Sequence, residues 1–176
     1  MALRAYICGT MAGRFAQEVT AERDEVTEAL LKIGVHGVDP AKSESQLWQG
    51  KKSKISTKYR LRVIAAMVAR DLFLIRRSDL LLCTTGDFCS DGSWKEISYA
   101  QLIGIPVILI APKRYSGEIS GWTNVLIRRE NIVPTLKAAI NLIRRRYLKE
   151  HEANKRYFDA AIKKAKYSSV NKKKKK

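Results

Sequence analysis

Cysteine and histidine are scarce in this chain, with three of the first and two of the second. Cys8, Cys83 and Cys89 are odd in number, lie inside apolar runs or a loop, and make no CxxC pair, so neither a disulfide framework nor a zinc site is expected. That usage suits a reducing cytoplasm. His36 and His151 are isolated, and no His/Cys/Asp set has metal-ligand spacing, which argues against metal catalysis and against a Ser-His-Asp triad. No apolar run approaches the roughly 18 residues of a membrane span. The opening MALRAYICGTMAGR has too short an apolar stretch for a signal peptide, so a cytoplasmic chain with no membrane partner is expected. The glycine-punctuated segment 9–14 fits neither GxxxxGK[ST] nor GxGxxG, which removes a P-loop and weakens any dinucleotide reading. Acidic residues are few, 17 against 34 Lys and Arg, for a formal net charge of +17. Residues 144–176 hold 14 of the basic and 3 of the acidic side chains, so the basicity is mostly a property of the tail.

What remains is enough for one domain with a proper core, since 176 residues exclude a second full domain. Residues 4–8 (RAYIC) read as a first strand ending in the glycine loop. Val19, Val26, Ala29, Leu30 and Ile33 recur at helical spacing, with Gly34 where a helix stop belongs. Residues 34–40 read as a short second strand, and the polar stretch 41–56 as a loop. A helix over 58–77 follows, through Leu61, Ile64, Ala65, Val68, Leu72 and Ile75, then a buried strand over 79–83 and a turn-rich loop over 84–93. A helix over 94–103 stops at Gly104, and 106–112 is another buried strand. VLIRREN (125–131) reads as a further short strand, 134–167 as one or two basic helices, and VNKKKKK as a disordered end. Strands that are apolar throughout, alternating with helices, predict a single-domain α/β fold: a Rossmann-like or flavodoxin-like parallel sheet with helices on both faces. It should occupy residues 1–143, with a basic helical and disordered tail over 144–176.

Ligands of open α/β sheets bind beyond the carboxyl ends of the strands, which points to loops 9–14, 84–93 and 112–124. The acids and bases available there are carboxylates: Asp87, Asp91 and Glu96, with Asp71 on the preceding helix. Residues 91–100 (DGSWKEISYA), followed by Gly104-Ile105-Pro106-Val107-Ile108, resemble the D-G-[ST]-x-x-E-[IL]-x-x-A…G-[KI]-P-V-I signature of the nucleoside 2-deoxyribosyltransferase family and of its sister group, the deoxynucleoside 5′-monophosphate N-glycosidases. Tyr6-Ile7-Cys8-Gly9 is similar to the family's Y-[FL]-[AC]-G. Asp71-Leu72 with Asp79 is similar to its D-L…[AS]-D, and Trp122-Thr123-Asn124 to its late Asn-bearing loop. The likeness spans roughly residues 4–133.

The resemblance implies covalent chemistry at the anomeric carbon of a nucleoside or nucleotide. Glu96 would attack C1′ as the base leaves, and the glycosyl ester would be resolved by water or by a second base. Asp71 would hold or protonate the departing base, Tyr6 would orient Glu96, and Asn124 would complete a neighbouring subunit's pocket, making a homodimer the smallest active unit. No metal or organic cofactor is implied. Ser90 stands six positions before Glu96, where the transferases usually carry an Asp that meets the free 5′-hydroxyl, and a neutral hydroxyl there suits a phosphate. Gly9, Thr10, Gly13 and Arg14 are similar to the monophosphate N-glycosidases' first loop and could cradle phosphate oxygens, with Asp91 and Gly92 completing the substrate-binding set. Asp87 and Asp91 oppose a dianion. Blander readings stand beside these: Ser93-x-x-Glu96 as a helix capping box, Asp71 as a helix carboxylate paired with Arg70, Tyr6 as a core aromatic, Asn124 as a turn residue and Arg14 as a solvated cation. The expected activity is hydrolysis of a (deoxy)nucleoside 5′-monophosphate to free base. The alternatives are base exchange between deoxynucleosides, or non-catalytic binding of a nucleotide or nucleic acid, the last suggested by the charge of the basic tail, from which weak, sequence-independent contact is expected.

Overall fold

A computed structural model describes residues 2–9, 15–43, 57–84, 90–111, 125–157, 159, 160 and 162. Five parallel strands form one sheet: β1 (Arg4–Gly9), β2 (His36–Val38), β3 (Leu80–Thr84), β4 (Val107–Ile110) and β5 (Ile132–Val133), in the spatial order β2-β1-β3-β4-β5. That is the flavodoxin-like order, whose switch point lies between β1 and β3. The LLLCT and VILI runs form strands because a parallel sheet covered on both faces buries every side chain. Leu80, Leu81, Leu82 and Cys83, and Val107, Ile108 and Leu109, are each no more than 1% exposed.

Three helices bear on the sheet: α1 (Ala16–Leu31), α2 (Thr57–Arg76) and α3 (Asp91–Leu102). Tyr6, Cys8, Leu81, Cys83, Val107 and Leu109 share one cluster with Ile75 of α2 and with Ile97 and Ala100 of α3. On the other face Ile7 meets Leu30 of α1 across Gly37, where an added Cβ would lie 3.2 Å from Ile7 Cδ1. The expected helix stops are where the chain needs them. Gly34 (φ 77°) and Gly104 (φ 79°) take the left-handed conformation that glycine adopts without steric cost, and Val35 N–H and Ile105 N–H bond back to the carbonyls of Leu30 and Ala100.

Two expectations are corrected. VLIRREN is not a strand: 125–126 are helical, Arg129–Asn131 form a 3-10 turn, and the strand begins at Ile132. Buried Asn131 donates from Nδ2 to the Val107 carbonyl at 2.9 Å, which anchors the turn to β4 and delays pairing until Ala111 N–H reaches the Val133 carbonyl at 2.9 Å. The apolar stripe of α2 is also only half used. Ile75 is fully buried, but Leu61, Ile64 and Val68 are 62%, 42% and 51% exposed, while Val63 points inward.

The chain forms two compact units, Met1–Ile140 and Asn141–Lys176. A further helix, α4, spans Leu136–Leu142. The second unit continues as a π-helix over Ile143–Leu148 and a helix over 149–157, with Arg144, Arg145 and Lys149 exposed. Among the described residues no helix is long and apolar enough to cross a membrane.

Candidate active site

The period-two alternation of β1 turns Tyr6 and Cys8 to the face covered by α3. Tyr6 is completely buried, and its hydroxyl donates to Glu96 Oε1 at 2.7 Å. Glu96 is there because of where α3 starts. Ser90 is the N-cap, its Oγ accepting from Ser93 N–H at 3.3 Å and lying 3.1 Å from Ser93 Oγ. With the cap at Ser90, the helix's orphan donors lie within its first turn, and Glu96 sits beyond their reach. The capping-box reading of Ser93 and Glu96 is therefore replaced by a Tyr–Glu pair spanning 90 residues of sequence.

Glu96 opens on a cleft of about 380 Å³ at the carboxyl ends of the strands. Its wall is made by Gly9 of β1, Arg23 of α1, Pro40 and Ala41 just after β2, Met67, Arg70 and Asp71 of α2, and Ser90, Asp91, Gly92 and Ser93 at the start of α3. Six expected site residues, Gly9, Asp71, Ser90, Asp91, Gly92 and Glu96, thus border one space, and Tyr6 lies behind Glu96. Thr10, Gly13, Arg14 and Asn124, and the loop carboxylate Asp87, lie outside the described residues. Asp79, the second Asp of the matched segment, is not at the cleft wall; its carboxylate accepts from Arg4 N–H at 2.7 Å, at the start of β1.

Burial is the main influence on both cleft carboxylates. It pushes Glu96 above the usual glutamate range, the neighbouring Asp71 adds to the rise, and hydrogen bonds from Cys8 and Tyr6 and the charge of Arg23 oppose it. Asp71 is likewise pushed up by burial and held back by Arg70 and Arg23. Arg70 grips one carboxylate oxygen of Asp71 with Nε at 2.9 Å and a terminal nitrogen at 2.8 Å, so the expected Arg70 pairing exists on a residue that also lines the cleft. Burial, with Glu96 and Asp71 beside it, drives the Tyr6 hydroxyl far above its ordinary value. It remains a donor at every working pH. Cys8 is bonded by Cys83, which favours the thiolate, yet burial and Glu96 keep it a thiol on balance.

Arg23, Asp39, Pro40, Ala41 and Met67 were not expected at the site. Arg23 is 6% exposed and donates to Asp39 Oδ1 at 2.6 Å, to the Ile7 carbonyl at 3.2 Å and to the Gly9 carbonyl at 3.4 Å. The signal for it lay in α1, where Arg23 occupies a position of the apolar stripe. Among the described residues no three His, Cys, Asp or Glu side chains gather as a metal site would require.

No protein-family model matches this chain, and no curated protein matches it. Solved structures do. A conserved protein from Enterococcus faecalis V583 is 18% identical with a TM-score of 0.60, over 83% of this chain and 99% of its own. A 2-deoxyribosyltransferase from the psychrotolerant bacterium Bacillus psychrosaccharolyticus is 16% identical with a TM-score of 0.52, over 78% and 90%. The CMP N-glycosidase BcmB of Clostridium botulinum is 16% identical with a TM-score of 0.46, over 80% and 96%. At these identities the likeness concerns the fold alone: this chain is built on the α/β fold of the 2-deoxyribosyltransferase and of the Enterococcus protein.

Proposed function

We propose that this protein is an enzyme that cleaves the N-glycosidic bond of a (deoxy)nucleoside 5′-monophosphate and releases the free base to water. The observation that carries the reading is the partly buried Glu96 carboxylate, held by the Tyr6 hydroxyl at 2.7 Å, with Asp71 on the wall of the same cleft. Glu96 attacks C1′; the C1′–N bond breaks, its electron pair goes to the ring nitrogen, and Asp71 supplies a hydrogen bond or proton to the base. Water then attacks C1′ of the glycosyl ester and gives up a proton to the Asp71 carboxylate, or to the departed base where Asp71 kept its own; the C1′–O bond to Glu96 breaks, and both carboxyl groups return to their starting state. The raised proton affinity of Asp71 suits the acid role, and no metal or organic cofactor takes part.

The phosphate half of the reading rests on the neutral Ser90 at the α3 N-terminus, where backbone N–H groups and the helix dipole favour an anion, and on Thr10, Gly13 and Arg14 after Gly9. Base exchange between deoxynucleosides is the alternative, favoured by the fold shared with the 2-deoxyribosyltransferase. A second copy is the expected partner, with Asn124 completing its neighbour's pocket; the exposed Leu61, Ile64 and Val68 of α2 support a covered face. The tail beyond residue 143 is assigned weak contact with nucleic acid, and Cys8 and Cys83, neither of them in a disulfide, suit a reducing cytoplasm.

The test is a panel of nucleosides and 5′-monophosphates, assayed for free base by chromatography with wild type and Glu96→Gln. Free base from a monophosphate, lost in the folded variant, supports the reading. Activity retained within about tenfold, some 1.4 kcal/mol of barrier, removes Glu96 as nucleophile, and base exchange without hydrolysis establishes the transferase.

A further inference from the structure

Arg23 is a guanidinium of the cleft wall whose acceptors lie at or just past the ends of strands. It reaches the Ile7 and Gly9 carbonyls at the end of β1 and the Asp39 carboxylate just past β2. Asp39 Oδ1 also accepts from Ala41 N–H at 3.0 Å, which fixes the turn whose Pro40 and Ala41 line the cleft. The pair is buried, with side-chain exposures of 8% and 4%. Stability alone does not call for such a pair, because a buried ion pair is often replaceable by apolar residues at no loss. Its location on a cleft wall that also carries two carboxylates calls for another role.

We propose that Arg23 is a positioning residue of this site: its guanidinium, locked to Asp39 and to the end of β1, fixes the cleft wall and supplies positive charge that holds Glu96 as a carboxylate beside Asp71. Glu96 is faced by Tyr6 and Cys8 from β1, by Asp71 and Arg70 from α2 and by Arg23 from α1, with Asp91 and Ser93 on its own helix. Arg70 is committed to Asp71 at 2.8 Å. Arg23, itself paired with Asp39, adds a second positive charge at the same cleft, and that charge favours the ionised form of both acids. A planar fork with several donors can serve three acceptors from two strand ends, which a lysine cannot match. The proposal rests on Glu96 being the nucleophile, because only an ionised carboxylate attacks.

The test compares wild type with Arg23→Lys, Arg23→Gln and the charge-free pair Arg23→Gln/Asp39→Asn, the last chosen because it leaves no buried lone anion if Arg23→Gln fails to fold. Glutamate side-chain carboxyls are labelled with 13C, the Glu96 signal is assigned by its loss in Glu96→Gln, and its titration is followed by NMR alongside the pH profile of base release. In the folded Gln variants the Glu96 titration and the acid limb of kcat/KM move together to higher pH, with at least a tenfold loss of kcat/KM at pH 6 and a smaller change in KM. Arg23→Lys keeps the titration near wild type while lowering kcat. An unmoved titration in a folded charge-free variant overturns the proposal. A shifted titration in a protein that releases no base overturns the glycosidase reading and leaves the charge role of Arg23 standing.

Discussion

Tyr6→Phe removes one oxygen from a fully buried ring and nothing else, so its consequences can be worked through from the Glu96 pair. A hydrogen bond to a charged acceptor contributes about 1.5–3 kcal/mol, against about 0.5–1.5 kcal/mol for a neutral one. The bond is 2.7 Å long, and Glu96 is a partly buried acid whose proton affinity is raised in the fold, chiefly by removal from water. For such a group the sign is fixed. Its contribution to stability is present at low pH, where the carboxyl is neutral in both states, and is lost as pH rises through the folded value. The Tyr6 hydroxyl opposes that loss by favouring the carboxylate. Removing it should therefore cost about 1.5–3 kcal/mol at pH 8 and less at pH 4.5. For a chain of this size, about 2–4 °C per kcal/mol makes that a fall in Tm of about 3–12 °C at pH 8. Thermal melts of wild type and Tyr6→Phe across this pH range provide the assay, repeated in the Glu96→Gln background, where the same change should cost only the neutral-bond amount. Base release by Tyr6→Phe should also fall more at acid than at alkaline pH. An equal Tm loss at both ends of the range, or the same loss beside the glutamine, would refute the idea that this hydroxyl supports a buried carboxylate.

Gly9 closes β1 against β3, where an added Cβ would meet Thr84 Oγ1 at 2.5 Å and the Thr84 carbonyl at 3.2 Å. Gly9→Ala is expected to cost about 1–3 kcal/mol by overpacking and to lower base release; Gly9→Ala/Thr84→Ala should recover part of both, and no recovery in melts or turnover would mean the clash is not with that hydroxyl. Ser90→Asp keeps an equally good N-cap, so its Tm should stay within a couple of degrees of wild type while turnover of a 5′-monophosphate falls more than that of the matching nucleoside. Equal losses on both substrates would remove phosphate from the α3 N-terminus.

The parts of this fold that were legible in the sequence are those where one physical requirement dominates. A strand covered on both faces must be apolar at every position, so 79–83 and 106–112 announced themselves as β3 and β4. A helix that must reverse needs a left-handed residue, so Gly34 and Gly104 marked the ends of α1 and α3. β5 was misplaced because a two-residue strand carries no periodicity, and its start is set by the Asn131 side chain gripping β4. The outward turn of Leu61, Ile64 and Val68 was hidden for the opposite reason: an apolar stripe reads alike whether it meets its own core or is left exposed.

The candidate site follows a different rule, and it joins residues that the motifs treated separately. On α1 the inward positions are Val19, Val26 and Leu30; Arg23 falls four after the first and three before the second, on the same stripe. On α3 they are Ser93, Ile97 and Ala100, and Glu96 falls three after the first and four before the last. On α2 Asp71 lies four before buried Ile75. An ionisable side chain at an apolar-stripe position must find a partner or a reaction, since burying it alone is costly. Glu96 was found from its motif and Asp71 from its neighbours in sequence, whereas Arg23 resembled one more solvated charge on a helix crowded with them. Its partners lie 14 to 16 residues away at two strand ends, and only closure of β2 onto β1 brings them within reach. The stripe position distinguishes Arg23 from its exposed neighbours on α1, and it is the same helical placement that turns all three charges toward one cleft.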